Sequence, residues 1–156
     1  MRKRLLDIDS QLRPEELIGE ADVDISEAVY TAPVEILLIE PRTGSSLADL
    51  VIDLDLNKTT TGWDTISTGA DTLDVTVFSK IDGTNFRHIL SASQLTAVGN
   101  GTHETAGVRF NVGPVGAGGA VSVRVLVSAE RDDIEIPYRL TYRGDRAPAV
   151  TAVAAV

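Results

Sequence analysis

The sequence predicts an all-β protein, an antiparallel two-sheet sandwich or jelly roll with extended N- and C-terminal arms. Three observations predict it. Apolar residues alternate with polar ones at a period of two along most of the chain, turn-forming clusters separate the alternating runs, and helical periodicity is confined to short pieces.

Taken in order, residues 1–20 are charged, with Leu5, Leu6, Ile8, Leu12, Leu17 and Ile18 scattered among them. They read as an arm. Within it "RPEELIG" predicts a short helical turn, because Pro14 suits the first helical position ahead of Glu15 and Glu16. "VEILLIE" follows as a short apolar run between Pro33 and Pro41. "LVIDLDLN" puts Leu50, Ile52, Leu54 and Leu56 on one face, against Val51, Asp53 and Asp55 on the other.

"TLDVTVFSKIDGTNFRHIL" reads as a hairpin. Leu73, Val75 and Val77 alternate with Thr72, Asp74 and Thr76, Asp82-Gly83 supplies the corner, and Phe86, His88 and Leu90 resume the alternation. "ASQLTAV" around Leu95 predicts a brief helix. Three strands come next. "GVRFNV" carries Val108, Phe110 and Val112, and "AVSVRVLVSAE" carries Val121, Val123, Val125 and Val127. "IEIPYRLTYRG" carries Ile134, Ile136, Tyr138, Leu140 and Tyr142, with Pro137 pointing to an edge or a bulge. That makes seven or eight strands. The last stretch, "DRAPAVTAVAAV", is small and apolar with no strand-length alternation. The organisation is therefore an arm at 1–20, a sandwich at 21–144 and an apolar tail at 145–156.

Composition narrows the function. At 156 residues the chain fits one domain with a sizeable core. It has no cysteine, so no disulfide, thiolate metal site or cysteine nucleophile contributes. Fourteen Lys+Arg against twenty-three Asp+Glu give 14 − 23 = −9, which opposes general attraction to nucleic acid and to anionic membranes. "MRKRLLDIDS" begins with basic residues as an export signal does. The charges in "LLDIDSQLRPEE" interrupt the apolar segment such a signal needs, and no membrane span is expected.

Candidate chemistry is sparse. Asp53 and Asp55 share one strand face, a spacing that suits a hard cation or a carboxylate pair, but alternating Asp on the wet face of an antiparallel strand is the ordinary solvated pattern. The two histidines, His88 and His103, lack an HExxH spacing or a third ligand. There is no GxSxG nucleophile elbow. "GPVGAGG" lies between strands and opens no helix that would hold a phosphate, so it reads as a flexible loop. Trp63, the single tryptophan, sits in a polar loop, where it serves either as an interface or sugar-stacking anchor or as a cap on the sandwich. One Trp, three Tyr and three Phe are too few for a broad aromatic sugar platform. No catalytic residue, cofactor or metal is expected.

The segment "STGADTLDVTVFSKIDGTNFRHI", with "AGVRFNV" and "GAVSVRVLVS" after it, resembles small β-sandwich virion proteins of tailed bacteriophages. In these a "TLDVxV" strand leads into a "DG" turn, an aromatic and a later "VR" strand. The resemblance covers about Ser67 to Ser128 and points to the capsid decoration, or cement, proteins. It implies a non-enzymatic protein on the outer face of a phage shell, made in the host cytoplasm. Its partners would be the major capsid protein and further copies of itself, with a trimer the expected oligomer, and neither nucleic acid nor membrane. The expected adhesive residues are the basic tip Arg2, Lys3 and Arg4 with Leu5 and Leu6, then Trp63, and Val150 and Val153 of the tail. A tail or baseplate adhesin with a carbohydrate-binding sandwich is the alternative.

Overall fold

The computed structural model describes residues 13–25, 33–55, 72–96, 107–127 and 131–152. These residues form nine strands and no helix: β1 (Glu15–Ile25), β2 (Val34–Glu40), β3 (Leu47–Asp55), β4 (Thr72–Ser79), β5 (Arg87–Thr96), β6 (Gly107–Asn111), β7 (Val121–Val127), β8 (Arg131–Gly144) and β9 (Ala149–Ala152). They make a 4-stranded sheet in the order β1-β8-β3-β6 and a 5-stranded sheet in the order β5-β4-β7-β2-β9. We call these sheet A and sheet B.

The pairing is nested. β4 pairs with β5, β3 with β6, β2 with β7 and β1 with β8, all antiparallel, so the chain is one long two-stranded ribbon centred on the Asp82-Gly83 corner. Folding that ribbon over itself adds the β3·β8 and β4·β7 ladders. This is the strand order of a jelly roll. β9 then adds to the outside of β2.

Alternation explains the core. Leu50, Ile52 and Leu54 of β3, with Ile136 and Leu140 of β8, form one cluster with Val75 and Val77 of β4 and Val121, Val123 and Val125 of β7, all buried. The unbroken apolar run in β2 has its own cause. A bulge between Glu35 and Leu37 shifts the phase by one residue, so both Ile36 and Leu37 are fully buried.

Several expectations are corrected. Residues 15–19 are strand rather than a helical turn, because tertiary pairing along β8 outweighs the local Pro-Glu-Glu signal. Gly19 leaves room for the phenol of its cross-strand neighbour Tyr138 to lie over the β1 backbone, and a Cβ there would push that ring aside. The brief helix at "ASQLTAV" is likewise strand as far as Thr96, with Leu95 opposite Leu73. The arm and tail boundaries at 20 and 145 do not coincide with the ends of the sheets. β1 begins at Glu15, and β9 lies within "DRAPAVTAVAAV" because its four residues find a ready edge on β2.

The "GPVGAGG" loop is held rather than loose: Leu47 and Val115 exchange both backbone hydrogen bonds, at 2.8 and 2.9 Å, and Val115 is buried. Gly113 and Gly118 take φ of 82° and 77°, which the turns there require. Pro137 lies on β8, an interior strand, one residue beyond the end of the β3 ladder at Leu54↔Tyr138, so no β3 partner is lost to its missing N–H.

The connections 26–32, 56–71, 97–106 and 128–130 lie outside the described residues; the strand ends on either side of them, such as Ile25, Val34, Asp55 and Thr72, gather at one end of the sandwich. The opposite end carries the turns 41–46, 80–86, 112–120 and 145–148.

Candidate functional site

Among the described residues both inner faces are filled by the core, which leaves the outer faces, the edges and the turns to be searched for a site. On sheet A the register places Ile18, Arg139, Asp53 and Arg109 in one row across all four strands. Arg109 donates to both oxygens of Asp53, from Nε to Oδ1 at 2.6 Å and from Nη2 to Oδ2 at 3.1 Å. The hydrogen bond to Asp53, and then its charge, raise the Arg109 pKa. Arg143 Nη2 lies 3.1 Å from Asp49 Oδ2, and Arg139 Nε lies 4.0 Å from Glu16 Oε2. At the β1 end, Tyr142 donates to Glu15 Oε2 at 3.4 Å; burial, then the charge of Glu15, raises its phenol pKa.

An open, shallow depression of about 450 Å³ lies on this sheet, lined by Ile18, Asp53, Asp55, Pro137, Tyr138 and Arg139 among others. Ile18 is 70% exposed, an uncommon setting for an isoleucine in a strand. The Asp53/Asp55 face is thus part of a surface depression in which Asp53 already has a guanidinium partner. Among the described residues no three His, Asp or Glu side chains gather as a metal site would require.

Sheet B is built differently. The Arg124 guanidinium lies 4.3 Å from the Phe78 ring centroid and 5.3 Å from that of Phe86, while Lys80 Nζ lies 4.9 Å from Phe86. His88 sits at 5.7 Å from Phe78, centroid to centroid, in a tilted arrangement. Fully buried Ser122 donates to Glu35 Oε2 at 2.5 Å and accepts from Arg124 Nε at 3.1 Å, so one hydroxyl links a carboxylate to a guanidinium across the β2·β7 ladder.

The hairpin produces this arrangement. A single bulge, with Ile89 as the extra residue opposite the Val77–Phe78 step, lets His88 pair with Phe78 on the outside while Leu90 pairs with Val77 and packs against the core. The even alternation expected for Phe86, His88 and Leu90 is therefore broken at Ile89. At the corner, Asp82 accepts from the backbone N–H of Thr84 at 2.9 Å and of Asn85 at 2.7 Å, and from Asn85 Nδ2 at 3.1 Å. These bonds, the backbone one from Asn85 first, lower its pKa from 3.8 to about 2.

Of the expected adhesive residues, Arg2, Lys3, Arg4, Leu5, Leu6, Trp63 and Val153 lie outside the described residues, as does His103. Val150 is described: it pairs with Ile39 in β9 and packs, partly buried, against the core. It is therefore part of the sandwich body. The Phe78–Arg124–Phe86 group was not singled out from sequence. Phe78 and Arg124 fall on the wet phase of their strands, but only the β4·β7 register brings them together. No family model, curated protein or solved structure matches the chain.

Proposed function

We propose that this chain is a non-enzymatic virion protein that binds the outer surface of a phage capsid as a homo-oligomer and stabilises it by bridging neighbouring capsid subunits. The observation that carries this reading is where the chain ends leave the body. β1 and β9 are edge strands of the two sheets and approach each other on the same side of the sandwich. The described chain thus begins in β1 and ends in β9 on one side of the sandwich, which suits a bridging protein that brings both of these strands to one partner surface. Each copy contributes a modest interface, and many copies multiply it over a shell. The jelly roll supports the reading as analogy, since this architecture recurs in viral shells, although it also recurs in lectins.

The test is co-sedimentation with undecorated particles. Because β1 begins at Glu15, the informative truncation removes residues 1–14 and leaves every ladder intact. The truncated chain should fold, melt close to the full-length protein, and sediment poorly with particles. Failure of the full-length chain to bind any particle would overturn the reading.

A second reading, a glycan-binding module of a tail or baseplate, draws on the depression beside Tyr138, Arg139 and Asp53. Glycan binding lost on Arg139→Ala, with no particle binding, would favour it.

A further inference from the structure

The two sheets each have one long edge and one short edge. β1, of 11 residues, and β5, of 10, are long; β6 has 5 and β9 has 4. At about 3.3 Å per residue the long edges run about 36 and 33 Å, so they match in length. They lie on opposite sides of the sandwich, since β1 approaches β9 and β2 while β5 ends sheet B at the other side.

Their charges are opposite. "EELIGEADVDI" of β1 holds Glu15, Glu16, Glu20, Asp22 and Asp24 and no basic residue. "RHILSASQLT" of β5 holds Arg87 and His88 and no acidic residue. Lys80 and Arg124 add positive charge next to β5 through their ring contacts. Counter-charges exist on each side: Arg13 precedes β1 and Arg139 stands on the neighbouring strand, while Asp82 stands near Arg87, Asp74 lies on β4 beside β5, and Glu35 is linked to Arg124 through Ser122. They reduce the contrast without reversing it.

Charges on an edge strand repel a like edge and so block edge-to-edge aggregation. Opposite signs on two edges do more, because they also favour the unlike pairing. We propose that the acidic β1 edge of one copy docks on the basic β5 edge of a second copy, a head-to-tail contact that joins sheet A of one to sheet B of the next. Such a contact is heterologous, so it builds a ring where the rotation closes. The inference deepens the self-association in the proposed function and rests on that reading only for its choice of a second copy as partner. No shell enters its test, so the two fail separately.

The test is sedimentation velocity of the full chain over a dilution series, with thermal melts of each variant. The wild type should associate, and association should weaken from about 0.1 M to about 1 M salt as the screening length falls from about 10 Å to about 3 Å. Glu16→Lys with Glu20→Lys on one edge, or Arg87→Glu on the other, should each raise the dissociation constant roughly tenfold or more. An equimolar mixture of the two variants should associate again, at least as unlike pairs, because the unaltered β5 edge of one meets the unaltered β1 edge of the other and the two reversed edges also complement each other. That recovery also shows that both variants are folded. A wild type that stays monomeric throughout, reversals without effect, or a mixture of normally melting variants that does not recover would each overturn the proposal.

Discussion

The two outer faces of this jelly roll handle charge in different ways. On sheet A carboxylates meet guanidinium groups, Asp53 with Arg109 and Asp49 with Arg143, each pair directly opposed in the register. On sheet B the cations lie on rings, with Arg124 over Phe78 and Phe86 and Lys80 over Phe86; the carboxylate of Glu35 takes a serine hydroxyl, and that of Asp82 takes backbone amides. The same fold thus carries one face held by ion pairs that salt screens and one held by short-range cation–ring contacts and hydrogen bonds. Cation–ring contacts keep part of their strength in salt, whereas exposed ion pairs contribute little to stability.

The largest expected effect tests what the two faces share. Ile52 on sheet A and Ile39 on sheet B are both fully buried in the common core. Ile52→Ala and Ile39→Ala should each cost about 2–5 kcal/mol in urea unfolding. A large loss for one and almost none for the other would mean that the sheets do not act as one cooperative unit, and the faces would have to be treated as separate bodies.

Next in size is Arg124→Ala. It removes two ring contacts and a donor to Ser122, and it should cost about 1–2 kcal/mol with little salt dependence. Arg124→Lys should recover only part, because an ammonium has no planar face to lay on the two rings. Full recovery by Lys, or a loss that disappears in salt, would show that sheet B is held by simple charge, as sheet A is.

How far these faces could be read in the sequence depends on what each needed. Alternation gave the sheet A face directly, since Asp53 and Arg109 each fall on the polar phase of a strand, and it gave the core from Leu50 to Leu140. The pairing of Asp53 with Arg109 could not be seen, because 56 residues separate them and only the ladder aligns them. β1 was hidden behind a helix-start signal, and its strand identity comes from β8, which lies more than a hundred positions away. β9 was too short and too small-residued to show alternation. The His88–Phe78 contact depends on the bulge at Ile89, which inserts a single residue and leaves no periodic trace.

A smaller effect should come from the sheet A pair. Arg109 is exposed, so Asp53→Asn and Arg109→Gln should each lower the melting temperature less than Arg124→Ala does. Their coupling in a double-mutant cycle should shrink toward zero at about 1 M salt. A coupling that persists at that salt would mean the bidentate geometry, rather than screened attraction, holds the row together.

The smallest effect is at the hairpin corner, and it separates the two faces by pH. Asp82 has a folded pKa of about 2 against an ordinary value of 3.8, caused first by the Asn85 backbone amide and then by that of Thr84. A carboxyl whose pKa is lowered on folding adds stability that is fully present above its unfolded pKa and is lost as pH falls through its folded one. The contribution of Asp82 is therefore intact near pH 4 and gone just below pH 2. Asp82→Asn keeps an acceptor for the Thr84 and Asn85 amides and removes the titration. The variant should melt slightly lower than wild type at pH 5, and the two melting curves should converge between about pH 4 and pH 2. Because the donors are amides rather than a guanidinium, the gap at pH 5 should persist in salt, unlike that of the Asp53–Arg109 pair. A gap that stays constant down to pH 2 would show that the corner is held by turn geometry alone, with no contribution from the carboxylate charge.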